Sequence, residues 1–463
     1  MTIANPEFPI IFLAFICLYW SCRTNVRLQN LFLLVFSYAI YSLLSFQYAA
    51  ILFALTIFVW TLTTLLAKES LDKSKKTITV LSIVFCLANL AIFKYSNLFT
   101  TQAQNLFSYF GIYYTFPIVN LALPVGLSFY TFQAISYICA VYSGKTKPAK
   151  LLDFATYLSF APTILAGPIC RPYELLNPIQ DKRFTTRNDI DDIVLLISSF
   201  FVKKVWLASW LSQSYVNPIF SDPSNYNTFE LILGLSAYSL QIYFDFSGYT
   251  DLARAVAKIL GFNIPQNFDR PYLSNSFSEF WNRWHITLSH WIRDYIYFPL
   301  GGSRQGFLFT IVNLIIAMTL SGLWHGASMM FVVWGLYHGV LLCAEKILKL
   351  VGVAINNKLI VFPLVTLGWV FFRCESLDSS FTFLKSLANW NYPIDLSLNH
   401  FSVVVMLVLS FSAWLHADVL LNLIRSVMKP SRLYLKITFG IIFISAALFC
   451  SPEGMPSFVY AQF

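Results

Sequence analysis

Apolar runs of roughly bilayer-spanning length, separated by short polar or basic connections, follow one another along almost the whole chain. The first, residues 10–20, comes after Pro6 and Glu7 instead of a basic n-region and has no small-residue cleavage site behind it. It therefore reads as a retained membrane segment and not as a signal peptide. Two runs joined by a tight turn near Gln47 come next, and others cover 78–93, 121–142, 151–168, 193–211, 229–246, 308–320, 329–350, 359–372, 403–421 and 437–450. The pattern predicts an all-α polytopic membrane protein of about 11–13 transmembrane or re-entrant helices. No break in the pattern marks a linker, which points to one integral-membrane domain over residues 1–463.

Composition agrees, with 57% hydrophobic, 18% aromatic and 11% charged residues, where soluble domains carry roughly a quarter charged. The net charge of +9 gathers in short loops, as the positive-inside rule requires, so nucleic-acid binding is not implied. Arg23 and Arg27, the loop KESLDKSKK (68–76) and the loop SGKTKPAK (143–150) fall on one side when the intervening runs are counted as spans. That places them in the cytoplasm and the N-terminus outside. Eight cysteines are scattered without any C-x-x-C pair and read as packing residues. Neither an H-E-x-x-H nor a G-x-S-x-G motif occurs, which predicts no bound metal and no serine-nucleophile elbow.

Charge enters the pattern between Asp245 and Arg304, in a region otherwise rich in aromatics. Charged groups at membrane depth are tolerated only within protein or beside a water-filled cavity, so re-entrant or amphipathic helices around a cavity are expected here. Within it, Trp281, Trp284, His285, Leu288 and Ile292 fall at i, i+3, i+4, i+7 and i+11, which predicts one helix with His285 in an aromatic stripe. His290 stands four residues before Asp294, where a local ion pair would satisfy it. Asp245, Ser247 and Tyr249 of FDFSGYTD either orient a catalytic group and line a cavity, or form a helix-packing break with Asp245 paired to a nearby cation. The run PLGGSRQG (299–306) fits a plain turn better than a phosphate cradle. Beyond the region, SGLWHGA (321–327) ends an apolar run in an ionisable His325 beside Trp324 and Gly326, a placement that needs a partner, a cavity or a catalytic role.

These motifs resemble those of a known family. LPVGLSFYTFQAISYICAVY (123–142), APTILAGPICRP (161–172), IYFDFSGYTDLARA (242–255), GFNIPQNFDRPY (261–272), FWNRWHITLSHWIRDYIYFPLGG (280–302), LSGLWHGASMMFVVWGLYHG (320–339) and the closing PSFVYAQF occur together and in order. The chain is identified by them as similar to bacterial membrane-bound O-acyltransferases, the branch holding alginate and peptidoglycan O-acetyltransferases and, more distantly, teichoic acid D-alanyl transfer proteins. Small departures are Ala461, where an aromatic is commoner, and PICRPYELL, an approximate match. The resemblance implies helices around a central tunnel, a catalytic core at about 121–350, and catalytic His325 and His285. Trp284, Trp324, Gly326, Asp245, Ser247, Tyr249, Arg293 and Asp294 are the expected supporting or tunnel-lining residues.

Acyl transfer from a thioester to a hydroxyl requires a base that is neutral near pH 7 and can return a proton, and imidazole suits that task. The resemblance implies acetyl-CoA, or an acyl carrier, as donor from the cytoplasm of a bacterium and a polysaccharide or a periplasmic relay protein as acceptor outside the inner membrane. D-alanyl transfer is the alternative. A transporter or flippase would show matching interrupted segments in the two halves, and none is seen; a docking scaffold without chemistry would not require both histidines.

Overall fold

The computed structural model describes residues 8–115, 121–165, 167–388 and 398–452. The closing PSFVYAQF, with Ala461, lies outside the described residues, as does Ala166 within the 161–172 motif. Among the described residues there are helices and no strand, only an isolated bridge between Phe268 and Trp284. Among the described residues, seven helices are long and apolar enough to cross a membrane, or eight when one bent pair is taken as a single span. The chain is thus a multi-pass membrane protein. By contacts it divides into two compact units, one taking the chain to Thr186 with Val256–Pro265, the other Arg187–Ala255 and the chain from Gln266.

The first unit contains α1 (Phe8–Ser21), α2 (Val26–Leu44), α3 (Phe46–Leu66), α4 (Asp72–Tyr109), α5 (Leu127–Tyr142), α6 (Leu151–Leu158), α7 (Ala161–Ile164) and α8 (Pro172–Gln180). Two expectations are corrected here. The run 78–93 does not end its helix there: α4 passes through a π turn at Ala91–Tyr95 and continues to Tyr109. The apolar run 151–168 is not one segment, because α6 stops at Leu158 and α7 restarts with Pro162 in its first turn. No polar turn marks the break, since Tyr157, Leu158, Ser159 and Phe160 around it are all buried. Arg183 is buried beside this core, donating to the Tyr19 hydroxyl at 2.9 Å, to the Ile179 carbonyl at 2.8 Å and to the Asn30 side chain. Its guanidinium lies over the Phe262 ring, 4.7 Å from the centroid.

The second unit contains α9 (Asp189–Ser221), α10 (Thr228–Ile259) as far as Ala255, α11 (Phe277–Arg283), α12 (Ile286–Ile292), α13 (Phe307–His325), α14 (Met329–Leu350), α15 (Lys358–Arg373), α16 (Leu377–Ser386), α17 (Leu398–Leu415), α18 (Ala417–Met428) and α19 (Leu433–Cys450). The bounds of α14 are those the sequence predicts, whereas the run 403–421 is bent by 77° between α17 and α18. The α13–α14 hairpin is packed backbone to backbone. A Cβ added at Gly335 would stand 2.4 Å from the Met318 carbonyl oxygen, and one at Gly322 would stand 2.1 Å from that of Phe331. Gly335 and Gly339 form the small-x-x-x-small spacing that lets membrane helices approach closely.

Candidate active site

The sequence places Trp284 and His285 on a continuous helical face, and the structure corrects this. Helix α11 ends at Arg283, Trp284 is extended, and His285 takes a left-handed backbone, φ 41° and ψ 55°, before α12 begins. A left-handed conformation costs a non-glycine residue roughly 1–2 kcal/mol, so neighbours must hold it. They do: Asp269 N–H donates to the Arg283 carbonyl at 3.0 Å, and Ile286 N–H to the Asn267 carbonyl at 2.9 Å. The Asn267 side chain accepts from the Thr287 hydroxyl at 2.6 Å, and the Ser289 hydroxyl returns to the Trp284 carbonyl at 3.0 Å. The start of α11 is fixed by Ser276, whose hydroxyl accepts from Glu279 N–H at 3.0 Å.

This break brings His285 to His325, the last residue of α13; their ring centroids are 6.3 Å apart and both are buried, at 0% and 3% exposure. Trp324 lies against both, with centroids 5.1 Å from His325 and 5.5 Å from His285. Trp334 and Phe372 meet His325 edge-on at 5.0 and 5.4 Å, and Phe246 meets His285 at 4.6 Å. Trp284 packs on Trp369, which stacks on Trp334. The indole N–H groups of Trp281, Trp284, Trp334 and Trp369 are buried without a hydrogen-bond partner among the described residues. His285 lies outside the span-length helices, and burial lowers its imidazole to about 3, so it is neutral at physiological pH.

The other expected residues divide. Asp245 is buried in an ion pair with Lys204, the packing alternative for that carboxylate, and it is the adjacent Phe246 that touches His285. Ser247 is buried with no hydrogen-bond partner for its hydroxyl among the described residues, and Tyr249 is half-buried on the same helix. Gly326 is extended, and a Cβ there would stand 2.1 Å from the Phe331 ring, so its smallness serves packing against that ring. Arg293 and Asp294 pair with each other at 2.9 Å in a π turn after α12. Arg293 also lines a cavity of about 250 Å³ with Trp281, His290, Ser321 and Lys346. In the glycine run, the Gly301 and Gly302 amides donate to the Phe298 and Tyr297 carbonyls, which makes it a closed turn.

One residue escaped the sequence reading. His338 is buried in the same aromatic cluster, with centroids 5.0 Å from Trp334 and 5.1 Å from Trp281. A Cβ at Gly368 would stand 2.7 Å from its Nε2. Its place between Gly335 and Gly339 put it on the close-packed face, a signal available in the spacing.

The sequence model of the MBOAT, membrane-bound O-acyltransferase family matches residues 33–351. The chain belongs to this family. Among curated proteins, a probable alginate O-acetylase of Azotobacter vinelandii is 36% identical over 82% of the chain and 76% of its own length. A peptidoglycan O-acetyltransferase of Helicobacter pylori is 28% identical over 85% of the chain and 79% of its own. A teichoic acid D-alanyltransferase of Streptococcus thermophilus is 32% identical over 47% of the chain and 55% of its own. Both histidines, at 285 and 325, fall inside the region that the O-acyltransferase family model matches.

Proposed function

We propose that the protein moves an acetyl group from acetyl-CoA, on the cytoplasmic side of the bacterial inner membrane, to a hydroxyl on the outer side. The acceptor is an exported polysaccharide, alginate or peptidoglycan in kind, or a periplasmic relay protein that passes the group on. The carrying observation is the buried pair of histidine rings, 6.3 Å apart within an aromatic enclosure. His325 accepts the proton of the acceptor hydroxyl as its oxygen attacks the thioester carbonyl. The C–S bond then breaks, and the imidazolium returns the proton to the leaving thiolate. His285 resists protonation, which suits positioning of substrate or of the base.

Arg293, His290 and Lys346 around the 250 Å³ cavity support a donor carrying phosphates. A central passage with His325 at its narrowest point would let two substrates from opposite compartments meet without either crossing. Acetyl transfer ranks before D-alanyl transfer because the acetylase relative spans 82% of the chain and the D-alanyltransferase 47%. The test is reconstitution in vesicles with acetyl-CoA labelled on the acetyl group and acetyl-free polysaccharide on the opposite side. Label in the polysaccharide with the wild type, and none with His325→Ala of normal melting temperature, is expected. Equal labelling by both would refute the assignment of the base.

A further inference from the structure

A larger cavity, about 450 Å³, shares no lining residue with the one beside Arg293 or with the histidine cluster. Asp191 and Asp192 at the start of α9 form one wall, and Asn422, Arg425, Ser426 and Lys429 form the other. The last four fall at i, i+3, i+4 and i+7, so they are the polar stripe of α18 and its continuation. Asp418, which accepts from Arg270, begins the same stripe, and the other side of α18 is apolar and exposed at Val419, Leu420, Leu423 and Val427, on a helix turned 77° from the preceding apolar one. A helix with a basic polar face and bare leucines and valines on the other lies in the membrane interface, its apolar side in acyl chains and its polar side at headgroup level.

The charges select the headgroup. Asp191 is paired with buried Lys436, and Asp192 accepts from Arg425 at 3.2 Å. Lys429 is exposed and has no ion pair among the described residues. Two carboxylates against Lys436, Arg425 and Lys429 leave one positive charge, which matches the single negative charge of a phosphodiester. Asn422 and Ser426 add short polar groups on the same wall. We propose that this cavity is a binding site for the headgroup of an anionic glycerophospholipid. The phosphate sits between Lys429 and Arg425, and the acyl chains lie along the apolar face of α18.

The full-length protein, purified in detergent, tests this by native mass spectrometry against added phosphatidylglycerol, with phosphatidylcholine and glycerol 3-phosphate as comparison probes. Retention of one phosphatidylglycerol in preference to phosphatidylcholine is expected, with apparent affinity about fivefold weaker in Lys429→Gln. Lys429→Arg should bind as the wild type does, and Lys73→Gln, at the start of α4, should change nothing. Asp192→Asn adds net positive charge and should bind phosphatidylglycerol more tightly. Equal binding of phosphatidylcholine, binding of glycerol 3-phosphate as tight as that of the lipid, or unaltered binding in Lys429→Gln would each overturn the proposal. Weaker binding in Asp192→Asn at an unchanged melting temperature would overturn it as well, since the carboxylate would then serve only to hold Arg425.

Discussion

At the scale of single residues, the two histidines differ in what surrounds them and so in what their loss should do. His325→Ala removes the proposed base, and acetyl transfer should fall by roughly 10²- to 10⁴-fold with the melting temperature nearly kept. For His285 the stability argument has a definite sign. Its pKa lies below the ordinary histidine value, so the unfolded chain takes up a proton in the window between 6.5 and about 3 that the folded chain refuses. Its contribution is therefore intact above that window and lost as pH falls through it. Melting curves from pH 7 to pH 5 should show declining stability, with a flatter slope in His285→Gln. Gly326→Ala should impair the enzyme by colliding with Phe331, and Phe331→Leu in the same chain should restore activity. If it does not, the methyl acts on the substrates' path instead. Gly352→Ala, in an open left-handed cap after α14, should cost only about 1 kcal/mol. The burial of His325 was legible because an ionisable group ending an apolar run needs an enclosed site, and its ring is 3% exposed. The left-handed turn at His285 was not, since its support comes from Asn267 and Asp269, well upstream, and the spacing on either side is helical.

At the scale of elements, sequence periodicity served where a helix has a lipid face and failed where it has none. Helix α14 shows a buried stripe through Met330, Trp334, Gly335, His338, Gly339 and Leu342, and its bounds could be read directly. Helices α6 and α7 are short and the residues between them, Ser159 and Phe160, are buried, so no polar turn shows their break. The α13–α14 hairpin holds His325 by glycine contacts. Gly335→Leu would drive a branched side chain into the Met318 backbone and should prevent folding, seen as loss of the monodisperse peak in detergent. Arg183 anchors α1, α2 and α8, and Arg183→Ala strands the Tyr19 and Asn30 groups that meet it. A loss of roughly 3–5 kcal/mol is expected, read as a large drop in melting temperature.

At the scale of the whole molecule, the positive-inside rule makes the basic loops cytoplasmic, an expectation that labelling tests. Lys73 and Lys147 are both exposed, so cysteines placed there in a cysteine-free background should resist an impermeant thiol reagent in intact cells and react in inverted vesicles. Labelling of both from outside would reverse the topology. The aromatic enclosure around His325 bears on a different choice that the enzyme makes. A thioester held beside a base is also open to water, a smaller nucleophile than any sugar and far more abundant. The rings of Trp324, Trp334 and Phe372 leave that imidazole 3% exposed, and in the proposed reaction a dry wall of this kind would suppress hydrolysis. Phe372→Ala, checked for retained folding, should therefore shift the partition of acetyl groups from acceptor toward free acetate. Under the proposed mechanism, the tryptophans and phenylalanines would set how much product forms per thioester consumed.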